Sequence, residues 1–198
     1  MLWIQIWKKA FLASSFPKSF SMMITCCDVD DFACDRAAES NHLDCLKALY
    51  EKGVRMDECT AATAAKHGSL ECLVFIASKI GLKCSSITYN AALGGKYLCL
   101  RYAVEYGCEI NKHTFIAAIK GENMANIQYL CDVECEWDED VINFAAYDKS
   151  LKFFTYLLYR GCPCDYKECV SFAAQTDQWK IVAAIGKYKS WIFLCVYT

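Results

Sequence analysis

Apolar and small side chains recur along this chain at a fixed interval. Ala37-Ala38, Ala64-Ala65, Ala91-Ala92, Ala118, Ala145-Ala146 and Ala173-Ala174 step by 27, 27, 27, 27 and 28 residues from first member to first member. A ruler kept over most of a chain is the mark of a repeat architecture. Six to seven residues before most of these alanines stands a residue suited to cap a helix: Asp30, Asp57, Ser85, Asn111 and Asp138, with Asp165 one further back. Their side-chain oxygens can accept from the N–H groups that a helix's first turn leaves unpaired. The spacing therefore predicts a first helix through each alanine pair.

A turn follows at Asn41, Gly68, Gly95, Glu122, Lys149 and Asp177. Asn and Gly tolerate the left-handed backbone with which helices commonly end. Beyond it lies a stripe at i, i+3 and i+6. It begins at Leu43, Leu70, Tyr97, Met124, Leu151 and Trp179, then takes Leu46, Leu73, Leu100, Ile127, Phe154 and Val182. It closes with Leu49, Ile76, Ala103, Leu130, Leu157 and Ile185. That period is one face of a helix, not of a strand. Gly53, Gly81, Gly107 and Gly161 stop this second helix, with Glu134 in the same place once.

Each unit is thus helix, tight turn, helix, short loop. One such hairpin cannot bury both of its faces, so neighbours must stack. The alanines allow the helix axes of adjacent units to approach toward about 8 Å. The expected fold is an all-α solenoid of about six stacked helix-turn-helix repeats, starting near residues 30, 57, 85, 111, 138 and 165. Residues 1–29 form an N-terminal helical cap or extension, 30–186 the array, and 187–198 an apolar C-terminal tail.

Segments such as Ala64-Ala-Lys-His-Gly-Ser-Leu-Glu-Cys-Leu73 and Ala37-Ala-Glu-Ser-Asn-His-Leu-Asp-Cys-Leu46 resemble the centre of ankyrin repeats. The resemblance covers residues 30–186. It implies stacked hairpins that bind other proteins. An ankyrin repeat runs to about 33 residues, and its Thr-Pro-Leu-His opening is absent here. The missing length falls where ankyrin repeats carry a β-hairpin finger, so the fingers should be very short or absent. The short, Cys-rich version is similar to divergent arrays common in large DNA viruses and some protists.

Composition narrows the chemistry. The chain has 198 residues, a formal net charge of -2 and no Lys/Arg cluster beyond a pair such as Lys8-Lys9. That leaves no concentrated basic face for nucleic acid. The aromatic column Phe75, Tyr102, Tyr129 and Tyr156 accordingly reads as packing between repeats, not as a stacking ladder for bases. No run reaches the ~18 apolar residues of a membrane span. Residues 1–27 lack acids and carry Lys8, Lys9 and Lys18, so mitochondrial targeting by this segment is a minor alternative to a cap.

There are 15 Cys, an odd number. Cys45, Cys72 and Cys99 step by 27 along second helices, and Cys108, Cys135 and Cys162 follow the helix-stopping position at the same step. One per repeat, they cannot converge on one metal. They read as buried small hydrophobes and reduced thiols, which favours the cytoplasm or nucleus. The local pairs Cys162-Pro-Cys164, Cys131…Cys135 and Cys26-Cys27 lack the spacing of a zinc site. His42, His67 and His113 lie a repeat or more apart and assemble no general base. No catalytic residue, cofactor or metal site is expected.

The function expected is a protein–protein interaction scaffold or adaptor. Its alternatives are a substrate-recognition subunit of a ubiquitin ligase, with residues 1–29 docking the ligase, or a metal-dependent protein using its cysteines. The partner is another protein, bound through loop tips. These tips are Arg55-Met56, Leu82-Lys83, Glu109-Ile110, Glu136-Trp137 and Pro163-Cys164. Trp137, Arg55, Met56, Pro163 and Tyr166 are the contact residues to consider first, because Trp, Tyr and Arg dominate interface energetics. Trp137 fits equally well as a ring tucked beneath its loop.

Overall fold

The computed structural model describes residues 32–197, apart from Lys149 and Thr176, with side chains as far as Tyr188. The expected cap at Asp30, the expected turn at Lys149 and the segment 1–29 lie outside the described residues. Twelve helices and no strand occur among them. The chain divides into two compact units, residues 1–109 and 110–198.

The described part of the first unit holds three hairpins. They are α1 (Ala33–Glu39) with α2 (Leu43–Glu51), α3 (Glu58–His67) with α4 (Leu70–Ile80), and α5 (Ser85–Leu93) with α6 (Tyr97–Glu105). First helices pack on first helices, α1 on α3 and α3 on α5, while α2 meets α4 and α4 meets α6. The second unit repeats the plan. It holds α7 (Lys112–Lys120) with α8 (Met124–Asp132), α9 (Glu139–Tyr147) with α10 (Leu151–Tyr159), and α11 (Tyr166–Gln175) with α12 (Trp179–Tyr197). There α7 packs on α9, α9 on α11, and α10 on α12. Each unit is a solenoid stack of helix pairs joined by strandless loops.

The alanine column lies in the core, with Ala37, Ala38, Ala64, Ala65, Ala91, Ala92, Ala118, Ala145 and Ala173 fully buried. Ala174, on the last first-type helix described, is exposed. In the second helices the two later stripe positions are buried, from Leu46 and Leu49 to Phe154 and Leu157. The opening position is not core: Leu43, Leu70, Tyr97, Met124 and Leu151 are half-buried and Trp179 is exposed. In α12 the buried face shifts back one residue from Val182, to Ile181 and Ile185. The backbone of the sequence-defined tail continues α12 as helix through Tyr197.

The turns follow the sequence closely. Asn41, Glu122 and Asp177 have φ of 56°, 52° and 56°, the same left-handed region as Gly68 and Gly95. Glu134 (φ 53°) likewise takes the place held elsewhere by Gly53, Gly107 and Gly161. Register of the fold outweighs side-chain preference at these sites, since a left-handed non-glycine residue costs about 1–2 kcal/mol.

Capping departs from expectation at one site. Asp57 Oδ1 accepts from the N–H groups of Cys59 (2.9 Å) and Thr60 (3.3 Å). Asn111, Asp138 and Asp165 accept in the same way. Ser85 does not: it is the first residue of α5, preceded by Cys84, which makes no side-chain cap bond. The caps step by 27 from Asp57 to Asn111 through position 84, which Cys84 occupies, so Ser85 is already the first residue of the helix.

A buried polar column joins neighbours. The Thr60 hydroxyl donates to Asp35 Oδ1 at 2.6 Å, tying α3 to α1. The Thr88 hydroxyl donates to the Glu109 carbonyl at 2.7 Å, and the Cys169 thiol donates to Asn143 Oδ1 at 3.1 Å. The cysteine columns are buried, and the twelve described cysteines are free thiols. Burial pushes the Cys72 thiol up to about 12 and Cys45 and Cys99 to about 11, so all are neutral near pH 7.

Candidate protein-binding site

Five loops connect one hairpin to the next, and each alternates in, out, in. Leu82, Cys108, Cys135 and Cys162 turn inward, with Val54 half-buried in the same place. The next residue, Arg55, Lys83, Glu109, Glu136 or Pro163, is exposed. The one after it turns back: Met56 is buried, and Cys84, Ile110, Trp137 and Cys164 are half-buried. Each loop tip therefore offers one exposed side chain between two that turn inward, not a pair. Met56, at 7 % exposure, is a core residue of its loop.

The second unit builds a pocket on one of these loops. Helix α8 ends as Glu134 enters the left-handed region, and the Cys135 N–H donates back to the Leu130 carbonyl at 3.1 Å. This folds residues 134–137 over the helix end. The Trp137 ring lies against Phe115 of α7, centroids 5.2 Å apart and planes tilted by 37°. Asp138 then caps α9 and accepts from Lys112 Nζ at 2.7 Å, and the same Nζ donates to Asp140 at 2.7 Å. Trp137 is thus held between an aromatic floor and a clamped cap. It is half-buried: the ring shields its loop and still reaches the surface.

Beside it opens a cavity of about 550 Å³ lined by Cys131, Glu134, Cys135, Glu136, Trp137 and Arg160. Arg160 arrives from the end of α10. Its Nη1 donates to the Tyr156 hydroxyl at 3.1 Å and its Nη2 to Asp132 Oδ1 at 3.1 Å. Burial, reinforced by Glu136, pushes the Cys135 thiol up to about 12; burial, opposed by Arg160, leaves Cys131 at about 11. Both sulfurs are neutral and serve as apolar lining. Among the described residues no group of three or more His, Cys, Asp or Glu is placed to hold a metal ion.

The other sequence-chosen residues are dispersed. In the first unit Arg55 is exposed, with its Nε 3.3 Å from Asp57 Oδ2. In the second, Pro163 is exposed on the following loop and Tyr166 is half-buried at the start of α11; neither lines the pocket. Of the five, the pocket takes only Trp137. Arg160 was missed because it closes a second helix one repeat downstream, and linear spacing does not bring it to Trp137. The acids were visible in Asp-Val-Glu-Cys-Glu-Trp-Asp-Glu-Asp, residues 132–140, where the capping role of the last three drew attention away from Glu134 and Glu136.

Comparison with known proteins agrees with this architecture. Residues 34–77 match the family model described as ankyrin repeats (many copies). The crystal structure of the human ASB11 ankyrin repeat domain is similar, with a TM-score of 0.56 at 18 % sequence identity, over 65 % of this chain and 69 % of that one. No curated protein matches. Residues 34–77 thus carry ankyrin repeats by sequence, and the described helices have the fold of an all-α, ankyrin-like repeat solenoid. Ankyrin repeats are in general modules that bind other proteins. No described helix is long and apolar enough to cross a membrane.

Proposed function

We propose that this chain is a scaffold or adaptor that binds a partner protein through its inter-hairpin loops, with the Trp137 pocket as the principal contact of the second unit. The observation that carries this is the in–out–in loop. Each of the five loops turns two positions inward, one buried and one half-buried, and presents the one between them, which is how a rigid stack displays a surface for contact. The pocket adds a half-exposed Trp seated on Phe115, and a preorganised aromatic loses little freedom on contact. Arg55 and Pro163 extend the surface within their own units. The binding module is the array near residues 30–186, flanked by 1–29 and 187–198.

The test is affinity purification of partners with the full chain, repeated with Trp137→Ala and with Pro163→Ala, folding being checked by circular dichroism. A folded Trp137→Ala chain should lose at least one specific partner. Recovery of the same partners in the same yield from both variants would overturn the assignment of the surface.

A further inference from the structure

We infer that the Trp137 pocket receives a lysine or arginine side chain carried on a basic, extended segment of the partner protein. The inference rests on the proposed role of this pocket as a partner contact and names the chemistry it selects.

Charge is the first argument. Residues 132–140 hold six carboxylates and no basic residue. Three are already engaged, Asp132 by Arg160 and both Asp138 and Asp140 by Lys112. Glu134 and Glu136 line the cavity, and among the described residues no cation lies within ion-pair distance of either. The single positive group of the lining, Arg160, directs one guanidinium nitrogen at Asp132 and another at Tyr156. An acidic segment would have to break those bonds while facing two glutamates. A basic one completes an unbalanced pair of charges without disturbing anything.

The walls suit the same guest. Trp is the aromatic with the strongest attraction for a cation over its ring. Cys131 and Cys135, 8 % and 6 % exposed, offer a neutral sulfur floor for the methylene stem of a long side chain. The volume, about 550 Å³, lies within the ~300–1,000 Å³ of sites that take a small ligand. It admits one long side chain with its adjoining backbone.

The experiment uses the full chain and three fluorescein-labelled peptides sharing a Gly-Ser frame, with Arg-Leu-Arg, Ser-Leu-Ser or Glu-Leu-Glu at the centre. Binding is followed by fluorescence anisotropy. The Arg peptide should bind about tenfold more tightly than the Ser peptide, and the Glu peptide most weakly. The double variant E134Q/E136Q should remove most of the Arg preference while its circular dichroism stays unchanged. Equal affinity for all three peptides, no binding of any, a preference for Glu, or an Arg preference that survives in E134Q/E136Q would each overturn the inference. The partner-capture assay separates the two levels. Partners lost with Trp137→Ala but kept by E134Q/E136Q leave the contact surface standing and remove the charge selectivity. Partners kept by both variants remove the surface itself.

Discussion

A methyl group placed on Gly94 would stand 1.9 Å from the carbonyl oxygen of Lys66. The end of α5 and the end of α3 are thus in backbone contact, closer than the alanine pairs alone require. Gly94 has an ordinary helical φ of -75°, so its role is space and not conformation.

Gly94→Ala should therefore destabilise the first unit by about 3 kcal/mol, at the upper end of overpacking costs, because the obstacle is backbone and cannot swing aside. Gly53→Ala is the control. Its added methyl meets nothing within 4 Å, and only the left-handed φ of 81° is strained, at about 1 kcal/mol. Urea denaturation midpoints of the two variants give the comparison; equal losses would contradict the close approach.

Capping supplies a second contrast. Asp57→Ala removes a side chain that accepts from Cys59 and Thr60 in a reciprocal capping box, and should cost about 1–2 kcal/mol. Ser85→Ala removes no cap bond and should stay within about 0.5 kcal/mol of the parent. Thermal melts of both variants check the ranking, and a larger loss for Ser85→Ala would reverse the assignment of the α5 start.

Much of this fold is legible in the sequence because each repeat writes the same constraints at the same places. The alanine column is read from steric need alone, and Glu122, Glu134 and Asp177 are placed in left-handed turns only by register, since their side chains give no hint. What stays hidden depends on three-dimensional direction. Ser85 misleads because it carries the capping oxygen, while the regular 27-residue step puts the helix start at its neighbour Cys84. Met56 and Leu82 look like tip residues in a linear string, yet the extended loop turns alternate side chains inward. Arg160 reaches the pocket only after the α9–α10 hairpin folds back. Composition shows the acids beside Trp137 but not which of them already hold a cation.

Thiol reactivity should follow burial and not local sequence. Cys59 is exposed, whereas burial raises Cys72, Cys135 and Cys162 to about 12. Brief iodoacetamide treatment of native protein near neutral pH, followed by peptide mass mapping, should label Cys59 well before those three, because the thiolate is the reacting form. Full denaturation should abolish the difference. Early labelling of Cys72 would contradict its place in the core.

Acid sensitivity should locate to the Lys112 clasp. Its hydrogen bond and charge hold the Asp138 carboxyl below the usual 3.8. A carboxyl depressed in the folded state stabilises above its unfolded pKa, and this contribution is lost as pH falls through the folded value. Lys112→Met should thus be less stable than the parent at neutral pH, and the gap should close as pH falls through the depressed folded value of Asp138. Added salt should narrow it as well, since the pair is solvent-exposed. Stability curves over pH that stay parallel into acid would rule the clasp out as the source.

The alternation of the inter-hairpin loops separates two tasks that most surfaces mix. Val54 and Met56, or Cys135 and Trp137, fasten each loop to the body, while Arg55 or Glu136 between them touches little of it. On the surface proposed above, a mutation at that middle place would redraw recognition and leave the melting temperature where it was. Such a chain can drift rapidly in specificity under selection, one letter per repeat, without first having to relearn how to fold.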